Sequence, residues 1–125
     1  MQLYSLFLVL FVRLFAPFSC LSFFKASAEG RILAVTFLLG VSADPNITDR
    51  WNGTPMDDCV RGGTLYHKYC AKLLQGWGGD LGTFKGTKTG DKFLTELENI
   101  SIKNIRKVIK RLIDQVRMKY EKSRQ

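Results

Sequence analysis

The first 43 residues constrain this chain most, because they are almost continuously apolar. Residues 2–24 are mainly Phe, Leu and Val, with Arg13 as the only charge, and a second apolar run over 32–40 follows a short charged interruption. Apolar segments of this kind direct a chain to a membrane. The alternative, a buried helix pair, is disfavoured because only 82 of the 125 residues remain to cover it. We therefore predict that residues 1–43 are a signal peptide or membrane anchor outside the folded core.

Two fates are open for this segment. Small residues at the last and third-last positions before a cut are the pattern that signal peptidase reads, and they precede cuts after Ala28 and after Ala43. A retained anchor instead needs about 20 apolar residues, and residues 2–24 reach that length only with Arg13 inside. Removal predicts a secreted protein. Retention predicts a single-pass protein of an endomembrane or the plasma membrane.

Three sequons favour the secretory route. Asn46, Asn52 and Asn99 each begin an Asn-x-Ser/Thr triplet without an intervening proline, and the chain contains only four asparagines. Such triplets are the acceptors of N-linked glycans. Downstream of an apolar leader, they predict a glycoprotein with glycans at these three positions.

Two cysteines follow the apolar segment, whereas Cys20 lies within it. A domain of this size has a small core, and a single disulfide is a common way to stabilise one in an oxidising compartment. We predict a disulfide between Cys59 and Cys70, which would hold the end of the preceding linker against a helix.

The remainder predicts a small, mainly α domain over 64–125 behind a polar linker over 44–63. The linker is rich in Asp, Asn, Pro, Gly and Thr, and its apolar residues show neither helical nor strand periodicity. A short helix is expected over 65–75, with Thr64 as its N-cap and Gly76 just past its end.

A glycine-rich loop is predicted next, over 76–90, with a brief extended piece over 81–84. The clearest element is one long amphipathic helix, because its apolar residues recur at three- and four-residue steps; it starts at Asp91 or after Thr95 and runs to about Lys119. We expect its apolar stripe to pack on the short helix. The alternative is that the long helix lies on an anionic membrane.

Positive charge is concentrated at the C-terminus. The chain has 19 Lys and Arg against 11 Asp and Glu, and residues 102–125 hold nine of these cations but only two acids. Four cations form two basic pairs one helical turn apart: Arg106, Lys107, Lys110 and Arg111. This spacing suits sulfate or phosphate groups. We predict that these four residues bind a polyanionic partner.

No constellation in the sequence predicts catalysis, a cofactor or a metal. His67 is the only histidine, and Asp57 and Asp58 are the acids nearest to it in sequence. Residues 82–89 resemble a phosphate-binding loop only superficially, because the glycine that should precede the lysine is one position early. We expect a flexible basic loop there and a structural role for His67.

These observations predict a non-enzymatic, secreted glycoprotein that acts as a ligand or effector through its basic C-terminal helix. Its partner would be a protein receptor or a sulfated glycan, with an anionic membrane surface as a further option and nucleic acid disfavoured by secretion. Two alternatives stay open: a single-span membrane protein that serves as an accessory subunit, and a membrane-active protein of host-defence type.

Overall fold

The computed structural model describes the backbone over residues 16–124 and the side chains over 22–124. Within this range the regular structure consists of helices alone, which confirms the mainly α fold predicted from the sequence. Six helices follow one another along the chain: α1 (Ala16–Ala28), α2 (Ile32–Gly40), α3 (Pro55–Gly62), α4 (Leu65–Gly76), α5 (Lys88–Glu98) and α6 (Ile102–Ser123).

Helices α1 and α2 form a hairpin that lies in the core. Gly30 turns the chain between them with a φ of 68°, a left-handed conformation that glycine adopts without a Cβ clash. The hairpin packs on α3 and α4. It supplies six of the fifteen buried apolar residues of the described chain: Phe23, Ala26, Ile32, Val35, Leu38 and Leu39.

This packing corrects one prediction. Residues 22–43 do not lie outside the folded core, although their fate as leader or anchor stays a prediction. The physical reason lies in the second run, whose nine residues form a helix too short to span a bilayer but of ordinary length for a buried one. Among residues 16–124, no helix is both long enough and apolar enough to cross a membrane.

Helix α3 occupies the end of the predicted linker. Thr54 and Asp57 form a capping box in which each side chain accepts a hydrogen bond from the other's backbone N–H, and Pro55 takes the first helical position. The helix buries Met56, Asp57 and Cys59. The stretch over 55–62 is therefore part of the core, and the predicted linker describes only the residues before it.

The predicted short helix is confirmed as α4. Thr64 is its N-cap, and its side chain accepts the backbone N–H of His67 at 3.3 Å. Cys70, Ala71 and Leu74 face the core and are fully buried.

The predicted long helix is wrong as a single element, because the chain breaks at 99–101 into α5 and α6. Thr87 caps α5 by accepting the N–H of Gly90, and Ser101 caps α6 by accepting the N–H of Lys103. Two separate caps mean two helix starts, although the apolar periodicity runs through the break. The loop before α5 contains turns, and no strand forms over 81–84.

Candidate anion-binding helix

Helix α6 is anchored to the body by its first half only. Ile105 is fully buried, and Val108, Ile109 and Leu112 are half-buried against the core cluster. From Ile113 to Arg124 every residue is exposed. The second half therefore makes no core contact, and the first half fixes the orientation of the whole helix.

All four predicted polyanion-binding residues lie on α6 and are exposed: Arg106, Lys107, Lys110 and Arg111. Since adjacent helical turns are about 5.4 Å apart, the two basic pairs present four cations within one compact face. Within residues 22–124, no carboxylate forms an ion pair with any of the nine cations over 102–124. The charge of this face is therefore available to an external anion.

Cations elsewhere on the protein behave differently. The Lys68 ammonium lies 2.9 Å from the Glu96 carboxylate, and this hydrogen bond lowers the pKa of Glu96. Lys85 pairs in the same way with Asp80 at 3.0 Å and lowers the pKa of that carboxyl group. The body thus neutralises several of its own charges, whereas α6 keeps its cations unpaired.

A groove of about 310 Å³ runs beside the start of α6. Its α6 wall includes Ile102, Arg106 and Ile109, and the opposite wall includes Leu73 and Trp77. Trp77 is 58% exposed and Ile102 is 51% exposed, so apolar side chains are open to solvent on both walls of the groove. One of the predicted cations therefore borders an apolar groove, a feature that the charge pattern did not predict.

Asp57 occupies the anion-binding position of the glycine-rich loop. Its buried carboxylate accepts backbone N–H groups of Gly82, Thr83 and Phe84 at 2.9–3.2 Å, and that of Thr54 at 2.8 Å. Successive N–H groups that converge in this way form an anion-binding nest. The chain's own carboxylate fills this nest, so the loop holds the fold together and is not open to a phosphate.

His67 is buried between two helix ends. Its Nε2 donates to the Ala28 carbonyl at 2.7 Å, because a carbonyl can only accept, and its Nδ1 lies 2.5 Å from the Thr64 hydroxyl. In the neutral ring Nδ1 accepts the hydroxyl proton. Both nitrogens are therefore engaged within the fold, and across residues 22–124 no group of three potential metal ligands occurs.

Cys59 and Cys70 are free thiols in the structure, and both are fully buried. Burial raises the pKa of Cys70 to about 12 and that of Cys59 further still, with the neighbouring Cys70 as a secondary cause. Each thiol therefore stays protonated at neutral pH. Their disulfide stays a prediction, which a thiol count tests.

The three sequons occupy different surroundings. Asn46 joins two loops, because its Nδ2 donates to the Gly78 carbonyl and its Oδ1 accepts the Asp80 N–H, each at 2.8 Å. Asn52 is exposed in a left-handed conformation with a φ of 64°, and Asn99 is exposed at the end of α5. Glycans at all three positions stay a prediction.

Sequence reasoning missed the exposed apolar neighbours of the basic face. The signal was present, because the apolar stripe continues beyond the residues that a small body is able to cover. Comparison with known proteins gives no match: no family model, no curated protein and no solved structure is similar to this chain.

Proposed function

We propose that this chain is a non-enzymatic binding protein that engages an anionic partner through the basic face of α6. The observation that carries the proposal is the unpaired, exposed state of Arg106, Lys107, Lys110 and Arg111. Unpaired cations on a rigid helix form charge-assisted hydrogen bonds without first giving up an internal partner. The proposed role is that of a ligand or effector, and the partner is an anionic one: a sulfated glycan, an acidic receptor or an anionic membrane surface.

The chemistry of the buried polar groups favours binding over catalysis. His67, Asp57 and the two thiols of the core are all buried, and the first two are fully engaged in hydrogen bonds within the fold. A general base or nucleophile must reach a substrate. His67 and Asp57 instead hold helices and loops together.

Secretion as a glycoprotein is the second part of the proposal, and it rests on the apolar N-terminus and the three sequons. A secreted protein that keeps this fold must retain the buried residues of the hairpin after any leader is cut off. Cleavage after Ala43 would remove six buried apolar residues, and cleavage after Ala28 would remove Phe23 and Ala26. If a leader is removed from a folded mature protein, we therefore expect the cut to lie before Phe23.

The anion-binding proposal is tested by heparin chromatography of the folded full-length chain. Replacing Arg106, Lys107, Lys110 and Arg111 with Ala should shift elution to clearly lower salt, because each cation contributes to the release of counterions. The charge-matched control replaces four exposed cations elsewhere: Lys25, Arg50, Lys88 and Lys92. Equal shifts for the two variants would reject a specific basic face and leave only net charge.

Secretion is tested by intact-mass analysis of extracellular material with and without glycosidase. The expected species starts before Phe23 and loses mass on glycosidase treatment. Recovery of the chain only from carbonate-washed membranes would reject secretion and favour the single-span alternative.

A further inference from the structure

A strip of apolar side chains runs along α6 beside its basic face. Ile102, Ile109, Ile113, Val116 and Tyr120 are separated by steps of seven, four, three and four residues, which places them on one line of the helix. All but Ile109 are 45–62% exposed. The helix has 22 residues, so this apolar strip extends over roughly 30 Å.

A row of cations borders this strip on one side. Arg106, Lys110 and Arg117 stand at four- and seven-residue steps, and each lies three or four residues from a member of the apolar strip. All three are exposed. Lines of apolar and cationic side chains next to each other on a helix of low overall hydrophobicity are typical of helices that lie at a lipid interface.

Aromatic residues mark both ends of the apolar strip. Trp77 borders the groove at its start, and Tyr120 is 62% exposed near its end. The indole and phenol rings prefer the headgroup region of a bilayer, because each has an apolar body and one polar atom. The two ends of α6 are therefore suited to the same depth of a membrane surface.

We infer that α6 binds lengthwise to an anionic lipid surface, with the apolar strip and Trp77 inserted among the headgroups and the cation row paired with lipid phosphates and carboxylates. This inference rests on the proposed anion-binding function and names its partner. Ile105, which is fully buried, holds α6 to the body and leaves the apolar strip at the side of that contact. The helix therefore reaches a surface without detaching from its own core.

Charge complementarity favours lipid over the other occupants of such a strip. A second copy of the chain would bring together two segments that each carry nine cations and two acids over 102–125. A sulfated glycan would pair with the cations but would leave about 30 Å of apolar surface exposed to water. An anionic bilayer would both pair with the cation row and bury the apolar strip.

The test is co-sedimentation of the folded full-length chain with vesicles in about 0.15 M salt. One set contains phosphatidylcholine with roughly 30% phosphatidylserine, and the other contains phosphatidylcholine alone. We expect binding to the anionic vesicles only. Replacing Ile113, Val116 and Tyr120 with Gln should weaken this binding about tenfold or more, because it removes the exposed apolar area.

Met118 provides the matched control, since it is 62% exposed on the same half of α6 but lies off the apolar strip. Met118→Gln should bind vesicles as the natural chain does. In a Trp51→Phe chain, Trp77 is the only tryptophan, and its fluorescence should shift to shorter wavelength when anionic vesicles are added.

The heparin assay separates failure of this inference from failure of the proposed function. A chain that binds heparin but not anionic vesicles, or a strip variant that binds vesicles undiminished, overturns the lipid assignment alone. The first of these outcomes would indicate a glycan or an acidic protein groove as the partner. A chain that binds neither overturns both.

Discussion

The His67 ring joins the end of the first helix to the start of the fourth, because its Nε2 donates to the Ala28 carbonyl at 2.7 Å. The contact spans 39 residues of sequence. It is made possible by Gly62, where a Cβ atom would overlap the imidazole ring. The apolar N-terminal hairpin is thereby tied to the rest of the fold by a polar contact as well as by packing.

Gly62→Ala should destabilise the protein by about 2 kcal/mol, because the new methyl group displaces the ring of His67 from its two hydrogen bonds. The same change in a His67→Ala background should be neutral or stabilising by up to about 1 kcal/mol, since alanine favours a helix and the clash is gone. Urea unfolding of the four chains measures this coupling.

Gly76→Ala is the control for this pair, because its Cβ would meet nothing within 4 Å. It should change stability by less than about 1 kcal/mol. Additive effects of Gly62→Ala and His67→Ala would contradict the contact between these residues.

Asp57→Asn should cost about 2–3 kcal/mol of stability, because the amide presents N–H groups toward donors that a carboxylate now satisfies. The change keeps the shape of the side chain, so the loss reports on hydrogen bonding to the loop over 82–84. Thermal unfolding followed by circular dichroism provides the measurement. The neighbouring Asp58→Asn removes only a pair with Arg61 near the surface and should cost under about 1 kcal/mol.

Leu39→Ala should destabilise the chain by about 2–5 kcal/mol, because Leu39 is only 1% exposed and its removal leaves a cavity. Phe37→Ala in the same helix should cost about 1 kcal/mol or less, since Phe37 is 43% exposed.

A truncated chain that starts at Asp44 should show no cooperative unfolding transition. Cooperative unfolding of that truncated chain would contradict the structural role of the N-terminal hairpin.

In the reduced protein, where Cys59 and Cys70 are free thiols, stability should fall as pH rises above about 9, the ordinary pKa of a thiol. The thiols of Cys59 and Cys70 keep their protons in the folded state because their pKa values are raised, whereas the unfolded chain loses them. The unfolded state therefore binds fewer protons above this pH, so the free energy of unfolding falls as pH rises.

Urea midpoints at pH 8 and pH 10 measure this effect, and a Cys59→Ala/Cys70→Ala chain should show a shallower dependence. In a Cys20→Ser chain without reductant, two thiols that react only after denaturation would refute the predicted disulfide. No reactive thiol under the same conditions would establish it.

Asn46→Gln should lower stability by about 1–2 kcal/mol even without a glycan, because the longer side chain no longer joins Gly78 to Asp80. Thr48→Ala abolishes the same sequon but keeps the Asn46 amide, so it should leave stability unchanged. Equal losses for both variants in protein made without glycosylation would contradict the loop bridge.

The elements that sequence predicted correctly are those whose signals are local. Thr64 and the apolar spacing after it indicate the start of α4, and Gly76 indicates its end. Helix α3 lies in the predicted linker although Thr54, Pro55 and Asp57 carry a recognisable capping pattern, because the surrounding Gly, Asn and Asp residues are typical of loops. The break between α5 and α6 at Ser101 is not predicted, because the apolar periodicity continues through it and does not indicate where a new helix begins.

The candidate site was predictable in charge but not in shape. The four cations of α6 and their exposure follow from the spacing of Lys and Arg on one helix. Trp77 and Arg106 line the same groove although they are distant in sequence, and no local pattern encodes such a tertiary arrangement. Hydropathy also could not separate a leader from a buried hairpin, since both require the same apolar residues.

The folded core uses the same apolar side chains of the hairpin that the predicted leader would need. Residues 22–43 leave a ribosome before their partners in α3 and α4, which follow roughly one to several seconds later at about 5–20 residues per second. Any factor that binds the nascent apolar segment in that interval acts as a holdase, because it takes up surface that the core needs. If the segment is a leader, the time order of synthesis therefore decides between export and folding for each molecule.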